Sequence, residues 1–145
     1  MVRRLQRVLA GLWGGVLLCI ALVATPAPFA TLQADAAGRV VRHIFAQEAY
    51  LSLALALVLL LMERRAARVG AEAGRGSALN ANMLLLLGTL FCTVAGYFAL
   101  QPMMETARLG QGTASFAVLH GVSAAFFGLK ALLACVLTWR VAGPG

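Results

Sequence analysis

The sequence predicts an all-α integral membrane protein, a bundle of four spanning helices, and three observations carry that prediction. Hydrophobic residues fill 61% of the 145 positions and charged ones only 12%, about half the charge of a soluble domain. The charges are also unevenly placed. None occurs between Arg7 and Asp35, a run of 27 residues, or between Arg75 and Glu105, a run of 29. A helix crosses a hydrocarbon core of about 30 Å with about 20 apolar residues, so each run holds a span. Finally, LALALVLLLM and MLLLLGTLF lack the two-residue alternation of a membrane β-strand. Backbone groups in lipid must satisfy one another, and the helix does so within one segment.

The elements follow in order. The first span is expected at 7–25, after Arg3, Arg4 and Arg7. Pro26 and Pro28 should end it and extend the chain, with Phe29 and Leu32 returning to the membrane surface. A cleaved signal peptide is the competing reading, with those arginines as its basic region and ATPA as its cleavage site. The apolar stretch from Val8 to Ala24 is longer than the usual core of about 7–15 residues. The second span, 43–62, carries Glu48 near its start. A flexible basic loop at 63–81, containing ERRAARVGAEAGRGS, leads to the third span at 82–101. The fourth, 116–139, holds Lys130 past its midpoint, and the whole chain reads as one four-span domain.

Net charge is +7, from twelve Lys and Arg against five Asp and Glu. Eight arginines fall on the side of the termini and the 63–81 loop, and three, Arg39, Arg42 and Arg108, on the other. By the positive-inside rule both termini are expected in the cytoplasm of a bacterial inner membrane. The basic residues then face lipid headgroups, and no nucleic-acid partner is expected. Small residues at Gly11 and Gly15, at Gly88, Cys92 and Gly96, and at Gly121, Ala124, Ala125 and Gly128 suit close helix approach. They serve a compact bundle, a homodimer or another membrane-protein partner equally well. Cys19, Cys92 and Cys135 fall at different depths, which suits neither a disulfide nor a shared metal site.

Ionisable residues inside a span are expensive and normally face a bundle interior. Four qualify: His43, Glu48, His120 and Lys130. His120, Ser123, Phe127 and Lys130 step along one stripe of the fourth span. Glu48 and Ser52 share an edge of the second. Counted from the expected helix ends, Glu48 and His120 lie at nearly the same depth. Lys130 lies about 15 Å deeper, beyond Glu48's reach unless the helices shift or the side chain bends. Glu48, His120 and His43 thus form a candidate outward-opening cluster for a metal, a haem iron or a proton relay. Blander roles compete: Glu48 and His43 bonded to Arg39 or Arg42, His120 as an interhelical hydrogen-bond partner, and Lys130 reaching for the cytoplasmic boundary. No HExxH, CxxC, GxSxG or phosphate-cradling loop occurs, so no catalytic residue is assigned.

An arginine at the start of a glycine-bearing first span, the turn of Pro26, Pro28 and Phe29, and LHGVS at Leu119–Ser123 occur together. This combination resembles a bacterial family of uncharacterised membrane proteins, domain of unknown function 4149, related to eukaryotic transmembrane protein 205. The resemblance runs from about Leu5 to Trp139 and implies four spans of this length. More distantly the chain is similar to four-helix proteins of copper-resistance-D type and to the haem-pathway protoporphyrinogen oxidase J. That resemblance implies a metal or haem role for His120 and, more weakly, Lys130. The oxidase's histidine near the start of its first helix has no counterpart here. The expected function is a non-enzymatic binding or accessory role, handling a metal or small solute. One alternative is a haem- or copper-binding redox protein, with His120 as ligand and Lys130 or Arg42 pairing with a propionate. A second is a small dimeric transporter.

Overall fold

The computed structural model describes residues 2–72 and 79–143. They form α1 (Val2–Cys19), a π-helical turn (Ile20–Ala24), α2 (Pro26–Thr31), α3 (Ala34–Glu72), α4 (Ala81–Thr93), a second π-helical turn (Val94–Ala99), α5 (Leu100–Arg108) and α6 (Phe116–Ala142). No strand occurs among the described residues. The turns join α1 to α2 and α4 to α5, so four helical bodies of 30, 39, 28 and 27 residues are long and apolar enough to cross a membrane. The predicted all-α, four-helix membrane bundle is what forms.

α1 packs against α3 and α6, and α4 packs against the same two helices. Their order around the bundle is therefore α1, α3, α4, α6, with α3 and α6 on one diagonal. Local chemistry sets several ends. The Asn80 side chain caps α4 by accepting from the Met83 amide at 3.0 Å, and Ser115 caps α6 by accepting from Val118 at 3.4 Å, which satisfies amides the helix leaves free. Gly110 (φ 71°) and Gly112 (φ 107°) turn the chain between α5 and α6, in a backbone region that glycine enters without strain.

The helix ends differ from those expected. Pro26 and Pro28 do not extend the chain. Pro26 opens α2 directly after the π-helical turn, so the missing proline amides interrupt the hydrogen-bond ladder and mark a change of helix type without ending the helical body. α3 begins at Ala34, nine residues before the expected 43. It runs on to Glu72, so the first ten residues of the expected 63–81 loop are helical; residues 73–78 of that loop lie outside the described residues. The third span reaches Arg108 rather than 101, and the fourth Ala142 rather than 139. Hydropathy marks where lipid begins, whereas Ala, Arg and Glu flanks carry a helix past that point.

The packed core lies towards the chain termini. Trp13 and Leu17 of α1, Leu59 of α3, Leu86 of α4, and Ala134 and Leu137 of α6 meet there, all fully buried or nearly so. Gly14 of α1 lies against Thr138, and Gly88 of α4 against Leu133. Thr138 donates its hydroxyl to the Ala10 carbonyl at 2.9 Å. Gly15, Gly121 and Gly128 have open space where a Cβ would stand, so those expected contact positions do not bring helices together within the bundle.

Candidate functional site: a cavity with an ion-paired floor

Beyond the packed core the helices separate and enclose a cavity of about 790 Å³. Both π-helical turns contribute to its wall, through Ala21, Gly96 and Tyr97. A π turn adds a residue to each helical loop and re-aims the chain, and such turns often stand at functional sites. Thr89 and Thr93, one turn before the second of them, donate their hydroxyls to the Leu86 and Thr89 carbonyls, a bonding habit that bends helices.

The floor is an ion pair across the bundle diagonal. Lys130 of α6 donates to both carboxylate oxygens of Glu48 of α3, at 2.7 and 2.8 Å, and each residue is only 3% exposed. Ser52 donates to the same carboxylate. The Trp13 indole of α1 donates to Ser52 at 2.9 Å. Trp13, Ser52, Glu48 and Lys130 thus make one buried chain of hydrogen bonds across three helices. One turn nearer the mouth, Phe45 and Phe127 meet edge to face at 5.0 Å across the same diagonal, and the Lys130 ammonium stands 5.1 Å from the Phe127 ring centre.

This arrangement corrects the expected depths. Glu48 is not near a helix end. It lies fourteen residues into α3, and Lys130 lies fourteen residues into α6. Both helices start at the cavity end, so the two side chains stand at one level, about 21 Å along each helix. Lys130 therefore pairs with Glu48 and does not reach for the termini-side boundary. His120, four residues into α6, belongs to the mouth. It is exposed, lines the cavity and stacks on Phe116 at 5.7 Å. Arg108 covers the Phe116 ring at 4.5 Å. His43 is exposed, does not line the cavity, and contacts Gln47 on its own helix. Among the described residues no three His, Cys, Asp or Glu side chains converge to hold a metal ion.

The mouth carries Asp35, Arg39 and Arg42 from α3, and Glu105 and Arg108 from α5, three positive charges against two negative. Between mouth and floor the walls are aromatic and apolar, with Phe29, Phe45, Tyr97, Met104 and Phe127. Ser123 of the expected stripe donates to the Gly96 carbonyl at 2.7 Å, fastening α6 to the second π turn. Thr25, on the wall beside the first π turn, has a buried hydroxyl with no hydrogen-bond partner among the described residues. Cys92 also lines the cavity, and all three cysteines are free.

Two residues escaped the sequence reading, Trp13 of the floor and Thr25 of the wall. Trp13 carried a usable signal, because an indole N–H inside a span needs an acceptor, and Ser52 four residues after Glu48 was that acceptor. Thr25 carried none.

Four lipid-length helices around a cavity with a buried ion pair define a multi-pass α-helical membrane protein. Residues 8–113 match the family model described as Domain of unknown function (DUF4149), and the chain belongs to that family. No curated protein and no solved structure matches the chain. These comparisons lend no support to the wider resemblance to transmembrane protein 205 or the copper-resistance-D type. The LHGVS stretch and Lys130 lie beyond the matched residues.

Proposed function

We propose that this protein binds a small amphipathic organic solute in the cavity, with an aromatic or aliphatic body against the phenylalanines and an anionic group at the arginine-rich mouth. The observation that carries this reading is the cavity itself, about 790 Å³ with a charged mouth, apolar walls and a saturated ionic floor. That size and lining fit a small-molecule site, mostly apolar with a few placed polar groups. The excess positive charge at the mouth favours an anion, and the unpartnered Thr25 hydroxyl offers a hydrogen bond to a polar substituent.

Binding a solute is favoured here over binding a metal or haem. Lys130 spends its charge on Glu48 rather than on a propionate, and His43 stands away from the cavity that His120 and Glu48 share. The distribution of basic residues supports a mouth on the non-cytoplasmic side of the membrane.

The test is equilibrium binding of radiolabelled 1-naphthoate to the protein in nanodiscs. Gly38 lines the cavity and has open space where its Cβ would stand, so Gly38→Phe fills the site without straining the backbone. Saturable binding that Gly38→Phe removes, at an unchanged melting temperature, supports the reading. Binding that survives Gly38→Phe, or binding no greater than to empty nanodiscs, refutes it for this solute class.

A further inference from the structure

The opposite end of the bundle holds a second, separate polar site. Glu63 of α3 is 8% exposed, yet its carboxylate is met by amides: it accepts from Gln6 of α1, from Asn80 at 2.8 Å and from Asn82 at 3.3 Å. Asn82 in turn accepts from the Arg140 Nε of α6 at 2.9 Å. Arg7 of α1 donates through Nε to the Val141 carbonyl at 2.8 Å and through a terminal nitrogen to Gly143 at 3.4 Å. Arg3, Arg7 and Arg140 then line, with Glu63 and Asn82, a pocket of about 110 Å³.

Arg140 is thus held through Nε, and Arg7 through Nε and one terminal nitrogen, which fixes their planes and leaves further terminal N–H groups without a partner among the described residues. A guanidinium fixed in that way matches a phosphate oxygen pair in geometry and charge. Glu63 does not cancel the site, because both its oxygens are occupied by amide donors and three guanidiniums outweigh one carboxylate. Its work is to set Asn82, and through Asn82 the plane of Arg140. The pocket is far too small for a whole lipid and of a size for one headgroup phosphate whose acyl chains lie outside.

We infer that the pocket of Arg3, Arg7 and Arg140 binds a phosphate group, such as that of an anionic phospholipid headgroup, at the end of the bundle where the chain begins and ends. The inference is independent of the solute cavity, which lies at the other end.

The experiment uses the full chain reconstituted with phosphatidylcholine and a minor fraction of phosphatidylglycerol, extracted into neutral detergent, with retained lipid counted by native mass spectrometry. Phosphatidylglycerol should be retained over phosphatidylcholine. Arg140→Gln should lower that retention about tenfold, the weight of one charge-assisted phosphate contact. Arg65→Gln, a basic residue outside the pocket, should lower it less than about twofold, because an exposed, screened charge is a weak anchor. Arg3→Gln, which lines the pocket without joining the network, keeps the test valid if Arg140→Gln unfolds. In a second arm inorganic phosphate is titrated against the detergent-solubilised protein while its melting temperature is followed. A rise that Arg140→Gln abolishes, without lipid retention, still supports the phosphate site and assigns it a soluble source. Loss of lipid equally at Arg65 and Arg140, or neither retention nor stabilisation, overturns the inference.

Discussion

The two halves of this bundle are built from the same four helices and behave as different materials. Towards the termini, Leu17, Leu59, Leu86 and Leu137 meet in a buried core. Towards the other end the helices part around about 790 Å³. The change falls where two helices take a π-helical turn and where Glu48 meets Lys130. Burying that pair is expensive in lipid, and its geometry answers the expense with full satisfaction: both carboxylate oxygens are used, and the chain continues through Ser52 to Trp13. The closed half holds the buried apolar core, and the open half holds the cavity and its charged mouth.

The largest expected effect comes from breaking the boundary. Lys130→Met leaves a buried carboxylate without its cation and should cost about 3–5 kcal/mol, measured by reversible unfolding in mixed micelles. The double variant Glu48→Gln, Lys130→Met should recover about 2 kcal/mol or more of that, because the neutral amide still meets Ser52. Strictly additive losses would separate the two residues energetically.

The next comparison sets half against half. Leu86→Ala, in the closed core, should cost about 2–5 kcal/mol, whereas Phe29→Ala, on the cavity wall and half exposed, should cost less than about 1 kcal/mol because it enlarges an existing space. Equal losses would mean that the cavity wall is packed as tightly as the core.

A smaller effect tests the second π-helical turn. A Cβ on Gly96 would run into the Phe126 side chain of α6, so Gly96→Ala should cost about 1–3 kcal/mol by overpacking. Gly15→Ala meets open space and should gain up to about 1 kcal/mol from helix propensity. The smallest change is Thr25→Val, which removes an unpartnered hydroxyl and should leave stability within about 1 kcal/mol of the parent.

The spans were legible because lipid imposes one simple demand, and long charge-free runs meet it. Helix ends were not, because α3 continues through Arg39, Arg42, Arg64 and Arg65, residues that leave lipid without leaving the helix. That one error propagated. With α3 started at 43, Glu48 fell level with His120; with its true start at Ala34, it falls level with Lys130. All four polar candidates were visible as outliers in composition, but their pairing depends on axial register, which composition does not encode. The π turns have no counterpart in hydropathy, so the cavity they border was invisible. The Glu63 network was hidden for a related reason: Gln6, Glu63, Asn80 and Arg140 lie in stretches that read as loop or as basic flank, and Asn82 stands at the first position of the expected third span.

The most direct test of the two-half architecture uses single cysteines. Ala124 of α6 is exposed and lines the cavity, whereas Cys135 is half-buried beside the closed core of the same helix; Cys92 lines the cavity but is buried. In single-cysteine variants in nanodiscs, a small charged, membrane-impermeant thiosulfonate should modify Ala124→Cys at least about tenfold faster than Cys135, since only a solvated thiol ionises and reacts readily. Adding Gly38→Phe should slow the reaction at position 124. An unreactive Ala124→Cys, or equal rates at the two positions, would contradict an open half above a closed one.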